Sequence, residues 1–210
     1  MKILVGQNYI KNKEFGKALT FFLNLEKSGK KNSSIFFYLG LVYFELNKFD
    51  QSILYYNKYL KEDPKSEAGL LNLAIVKQAI GEFKSARDLF LKIIKINKLN
   101  IKAYYGLYML DVNFLKEDLF NNLLEISRSE KLNLYEKKII NFLFSKKAKI
   151  NNENKKEIEF LHKSHKNIFN SNESYNLSAQ FYYNKIISKF YGKINIIKKE
   201  NELVDELPSP

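Results

Sequence analysis

Small and aromatic residues return along this chain in steps of 34, and no other feature restricts its fold as much. Gly6, Gly40 and Ala74 form one series, and Leu39, Leu73 and Leu107 keep the same step. Phe15, Phe49 and Phe83 follow it too. So do Ala18, Ser52 and Ala86, then Phe22, Tyr56 and Phe90, then Leu25, Tyr59 and Ile93. Tyr9 and Tyr43 match, but the third copy has Lys77. A small residue is needed wherever two antiparallel helices cross with their backbones close. The small series at 6, 40 and 74 supplies it on the first helix of each unit, and the series at 18, 52 and 86 on the second. The aromatics at 22, 56 and 90 fill the space beside the crossing and reach the next unit. No single unit can bury its apolar face alone, so neighbours must stack.

The expected fold is all-α, a solenoid of about five antiparallel helix pairs with the last two degenerate. Helices are expected at 1–12, 15–28, 33–46, 49–61, 67–80 and 83–96. The fourth unit starts in register with Tyr104 and Leu107, then departs from it. Tyr108 stands where a small residue belongs, and Phe120 where Ala or Ser belongs. Its helices are expected near 101–112 and 116–127, and a fifth pair at 132–150 and 153–168. Units therefore fall at 1–32, 33–66, 67–100 and 101–131. Residues 132–192 hold the degenerate pair and an amphipathic capping helix at 173–191, with Phe181, Tyr182, Ile186, Ile187 and Phe190. Residues 193–210 are charged, without periodicity, and read as a connector.

The second copy, Leu39, Gly40, Tyr43, Ser52, Tyr56 and Pro64, resembles the tetratricopeptide repeat (TPR) family. That family's pattern runs Leu-Gly-x-x-Tyr, a small residue, an aromatic, then Pro. The resemblance implies a right-handed superhelix whose first helices line a concave groove. It also implies a scaffold that binds protein.

Composition excludes several other classes. Only 3 Pro and 8 Gly suit long helices with short turns. There is no Cys, which removes disulfides and thiolate metal sites and fits a reducing, cytoplasmic setting. The start, Met1 to Asn8, turns polar too soon for a signal-peptide core. No run approaches the roughly 18 apolar residues of a membrane span. Net charge is +12, but Arg87 and Arg128 are the only arginines among 35 basic residues. Arg is the preferred bidentate reader of phosphate and guanine, so the excess reads as a solvated Lys surface rather than a nucleic-acid site.

No catalytic, cofactor or metal site is expected within these residues. Glu159, His162 and His165 share one helical face, but Lys163 and Lys166 flank them and no partner cluster supplies further ligands. There is no Gly-x-x-x-x-Gly-Lys-Ser/Thr loop to cradle phosphate and no Gly-x-Ser-x-Gly elbow. Glu62/Asp63 and Glu117/Asp118 lie near turns and read as capping charges.

The informative element is the first helix of the second unit. Phe36, Leu39, Gly40 and Tyr43 make its packing stripe, while Phe37, Leu41 and Phe44 make a second apolar stripe on another face. Equivalent places hold Leu71 and Ile75, then Tyr105 and Met109. In the resembled family this stripe lines the groove. Phe37, Leu41, Phe44, Leu71, Ile75, Tyr105 and Met109 are therefore the expected partner-binding residues. The partner is expected to be apolar or amphipathic, a helix or the protein's own C-terminal domain, rather than an acidic tail. On that reading Phe37→Asp with Leu41→Asp abolishes contact and spares the fold. In the alternative, a tighter superhelix covers its own groove and the same variant unfolds.

The layout also resembles the N-terminal half of bacterial TPR–sulfotransferase proteins. The likeness is carried by residues 141–148 and 159–166, by Gln180 to Ile187, and by the Glu206-Leu207-Pro208-Ser209-Pro210 end. It implies a non-catalytic arm preceding a domain that uses PAPS, and no catalytic residue carries over to this chain. The first helix opening at Met1 without a polar cap fits such a fragment. A free-standing adaptor for a peptide or helix is the alternative.

Overall fold

A computed structural model describes residues 2–29, 32–111, 113 and 117–171. The expected helix over 173–191 and the connector over 193–210 lie outside the described residues. Among the described residues there are ten helices and no strand. They are α1 (Lys2–Lys11), α2 (Phe15–Lys27), α3 (Ser33–Glu45), α4 (Phe49–Glu62), α5 (Glu67–Ala79), α6 (Phe83–Ile96), α7 (Ile101–Leu110), α8 (Glu117–Ser127), α9 (Leu134–Ile150) and α10 (Asn154–Ser171).

Two local devices repeat along the chain and fix where the helices begin and end. Inside a pair the turn is a Schellman motif. Lys13, Asn47, Gly81 and Asn152 take left-handed backbone, with φ of 59°, 57°, 81° and 58°. At each, that residue's amide donates three residues back and the next amide five residues back, which satisfies the last carbonyls of the first helix. The α9–α10 pair, degenerate in sequence, uses the same turn as the first three pairs. Between pairs a side chain caps the incoming helix. Asn32 accepts from the Ser34 amide, Ser66 from Gly69, Asn100 from Ala103 and Asn133 from Glu136. Glu136 closes a capping box by accepting from the Asn133 amide. Each such cap contributes about 1 kcal/mol.

The crossings are built as the 34-residue series requires. Ala18, Ser52 and Ala86 are fully buried, and Phe22, Tyr56 and Phe90 fill the space beside them. A Cβ on Gly6 would lie 2.3 Å from Phe22, and one on Gly40 2.8 Å from Tyr56, so neither crossing admits a larger residue without a shift. Ser52 Oγ donates to the Gly40 carbonyl at 2.7 Å. Ala74 shares one buried cluster with Phe90.

The same aromatics meet the next pair, and there the series varies. Phe22 stacks on Tyr38 with ring centroids 5.1 Å apart. Two repeat lengths on, the place of Tyr38 is taken by Gly106, and Phe90 presses directly on its backbone. A Cβ on Gly106 would lie 2.4 Å from the Phe90 ring. The fourth unit therefore does carry a small residue at a close approach, two positions before Tyr108. Tyr108 itself is half-buried and its ring meets Phe142 of α9, 5.5 Å away. Phe120 of α8, where a small residue was expected, packs edge-on against Phe144 of α9 at 5.2 Å.

The burial of α3 also differs from the expected stripe. Ile35, Leu39, Gly40 and Val42 are the buried residues, whereas Phe36 and Tyr43 are half-buried. Phe36 and Tyr43 lie against Tyr55 of α4, Tyr43 stacked on it at 5.4 Å.

Successive first helices α1, α3, α5, α7 and α9 adjoin one another. Each second helix of the first three pairs lies between its own first helix and the next, so the first helices form the inner layer of the stack. No described helix is long and apolar enough to cross a membrane.

Candidate functional site

The inner faces of α3, α5, α7 and α9 make one continuous wall, and its character changes along the stack. At α3 the expected stripe is partly used by the fold. Phe37 lies edge-on to Tyr56 and Tyr59 of α4, at 5.8 and 5.3 Å. Leu41 and Phe44 pack against the buried cluster of Tyr56, Leu73 and Val76, with Phe44 also 5.9 Å from Phe49. All three are half-buried. Leu71 on α5 is likewise half-buried and packs against the main core.

The open part of the wall is further along. Ile75, Tyr105 and Met109 keep 39%, 36% and 53% of their surface in water. The seven expected residues thus divide into four that hold neighbouring helices together and three that present apolar surface. One of those three, Tyr105, also belongs to an aromatic group that the 34-residue pattern does not reveal. Tyr105, Tyr108 and Phe142 bring α7 and α9 together, with centroids 6.5, 6.1 and 5.5 Å apart. Burial, with a smaller push from Tyr105, raises the Tyr108 phenol above its usual range, so it stays a neutral hydroxyl.

The wall ends at a cleft of about 570 Å³ at the start of α5, α7 and α9. Leu71, Leu99, Lys102, Tyr135, Glu136 and Ile139 help to line it. Its rim is braced by Glu67, whose carboxylate accepts from Asn97 Nδ2 at 2.9 and 3.0 Å and from Asn100 Nδ2 at 2.7 Å. Asn100 also caps α7, so one side chain ties two consecutive pairs.

The chain thus combines capped helix pairs, small residues at the first three crossings and an inner wall with open apolar surface. Residues 33–66 match the tetratricopeptide repeat family. No curated protein matches the chain. Solved structures share its fold. A crystal structure of MamA superposes with a TM-score of 0.60 at 15% identity, over 80% of this chain and 97% of that one. MamA from Desulfovibrio magneticus RS-1, from residue 41 onward, gives 0.60 at 14%, over 81% and 95%. A tetratricopeptide repeat protein from Parabacteroides merdae ATCC 43184 gives 0.56 at 16%, over 78% and 64%. At these identities the likeness establishes the repeat fold.

The histidine face on α10 is arranged differently from a ligand set. Glu159 accepts from Lys163, whose ammonium holds the Glu159 carboxyl below the usual carboxylate range. His162 and His165 are exposed, and among the described residues no three acidic, His or Cys groups come together to hold a metal.

Proposed function

We propose that the chain is a protein-interaction scaffold whose inner wall holds an apolar or amphipathic partner segment. The observation that carries this is the open surface of Ile75, Tyr105 and Met109. The tetratricopeptide crossings are complete without these three side chains, and apolar surface gathered on one wall is a contact surface. The four half-buried residues Phe37, Leu41, Phe44 and Leu71 give that wall a fixed floor. The occupant is a peptide, a helix or a domain of the same protein. A cysteine-free chain suits a cytoplasmic setting.

Ile75→Glu with Met109→Glu tests this, because both positions are exposed and such changes cost little stability. A fluorescein-labelled amphipathic peptide with a Leu face and a Gln face serves as probe. Wild-type protein is expected to bind it in the micromolar range, and the double variant at least about ten-fold more weakly, a loss of about 1.4 kcal/mol. Its melting temperature should stay the same. Equal binding by both proteins would place the contact elsewhere.

We further propose that the scaffold is the non-catalytic arm of a sulfotransferase. The support is the sequence resemblance over 141–148, 159–166, 180–187 and the 206–210 end. PAPS would be held by a separate catalytic domain, since these residues contain no phosphate-cradling loop. Reading the gene past Pro210 is the test. A downstream Pro-Arg-Ser-Gly-Thr-like loop is expected, and a stop codon would favour a free-standing adaptor.

A further inference from the structure

Helix α9 adds a charge requirement to the groove. Tyr135, Lys138, Phe142, Lys146 and Lys149 follow one another at intervals of three or four residues, which keeps them on one face of the helix. That face continues the groove wall, because Phe142 sits against Tyr105 and Tyr108 of α7. Lys146 Nζ lies 4.9 Å over the Phe142 ring and Lys138 Nζ 5.6 Å over Tyr135. Lysines laid along rings keep their ammonium groups extended in fixed places.

Among the described residues, Lys138, Lys146 and Lys149 take part in none of the ion pairs, which include those of Lys17, Lys58, Lys77, Lys156 and Lys163. Helix α7 contains no acid and adds Lys102 to the same wall. The single acid of α5, Glu67, is taken by Asn97 and Asn100, and that of α9, Glu136, closes its helix cap. Half of the net charge of +12 falls within 131–171, where ten Lys face four Glu, giving +6 in 41 residues.

We infer that the groove selects an amphipathic helix that is apolar where it meets Ile75 and Met109 and carries Asp or Glu where it meets α9. This rests on the scaffold reading above and names its partner's chemistry. Charge complementarity chooses the carboxylates. The apolar neighbours and the absence of Arg from the stripe disfavour a phosphodiester backbone, which calls for a continuous cationic track.

Two labelled peptides of one Leu face decide it, one with Glu and one with Gln along the flank that meets α9, each titrated into the full chain. At about 50 mM NaCl the Glu peptide is expected to bind at least ten-fold tighter, and the gap should close at about 500 mM. Lys138→Glu with Lys146→Glu and Lys149→Glu should reverse the preference in favour of Gln, while circular dichroism shows an unchanged fold. If that variant does not fold, Lys138→Gln with Lys146→Gln and Lys149→Gln should abolish the preference instead. Equal affinity for both peptides overturns the charge requirement and leaves the scaffold reading standing. Failure of both peptides to bind overturns both. Tighter binding of an oligothymidylate of about 20 nucleotides than of the Glu peptide makes the site one for nucleic acid.

Discussion

Replacing Phe90 by alanine should cost about 3–5 kcal/mol, at the upper end of what a single buried aromatic contributes. The ring is 1% exposed and lies in the largest buried cluster. Ala74, Ala86 and Ala103 belong to the same cluster, and the ring's tip rests on the bare backbone of Gly106. Residues this short cannot reach into the space the ring leaves, so the cavity stays open and its full cost is felt. The same geometry supplies a rescue. Gly106→Leu alone should destabilise, because a Cβ there meets Phe90 at 2.4 Å. In the Phe90→Ala background it should recover part of the loss, giving a coupling between the two sites of at least about 1 kcal/mol. Denaturant titration of the four proteins measures both. A loss below about 1.5 kcal/mol for Phe90→Ala, or strict additivity, would contradict the packing.

The Phe37→Asp, Leu41→Asp double variant should lose at least about 4 kcal/mol and melt far below wild type. From the sequence, these residues form an open stripe that the fold does not need. The structure puts Phe37 against Tyr56 and Tyr59 and Leu41 against the cluster of Tyr56, Leu73 and Val76. Each substitution removes most of the roughly 1.5–3 kcal/mol that full burial of such a side chain contributes and sets a carboxylate among apolar neighbours. Thermal melting followed by circular dichroism reads the effect directly. An unchanged melting temperature would return Phe37 and Leu41 to the open surface and restore them as contact residues.

Helix pairing was legible because each crossing demands a residue type at a fixed step. Ala18, Ser52 and Ala86 differ in chemistry but share smallness, and smallness survives as a pattern. The turns repeat with the same step at 13, 47 and 81, yet Lys, Asn and Gly share only a tolerated left-handed backbone, which letters do not display. Gly106 escaped because it faces the preceding pair, two places before the position where a small residue is counted. Which side of α3 is open was not legible at all. That helix is apolar almost all round, and only the neighbours Tyr56 and Tyr59 decide which face stays in water. The α9 stripe mixes rings with lysines and so carries no clean apolar period. Its meaning comes from Tyr105 and Tyr108, some thirty residues earlier in the chain.

Tyr38 and Gly106 occupy equivalent places against Phe22 and Phe90, so successive pairs are separated by shims of different thickness. A thick shim between two rigid pairs tilts them apart, and a missing one lets them draw together. The spacing of the pairs is thus set where one pair meets the next, at residues other than Ile75, Tyr105 and Met109. A change of residue at position 38 or 106 is therefore expected to alter the spacing between two neighbouring pairs. Such positions let a stack of this kind be refitted to a broader or slimmer guest without redrawing the surface that recognises it.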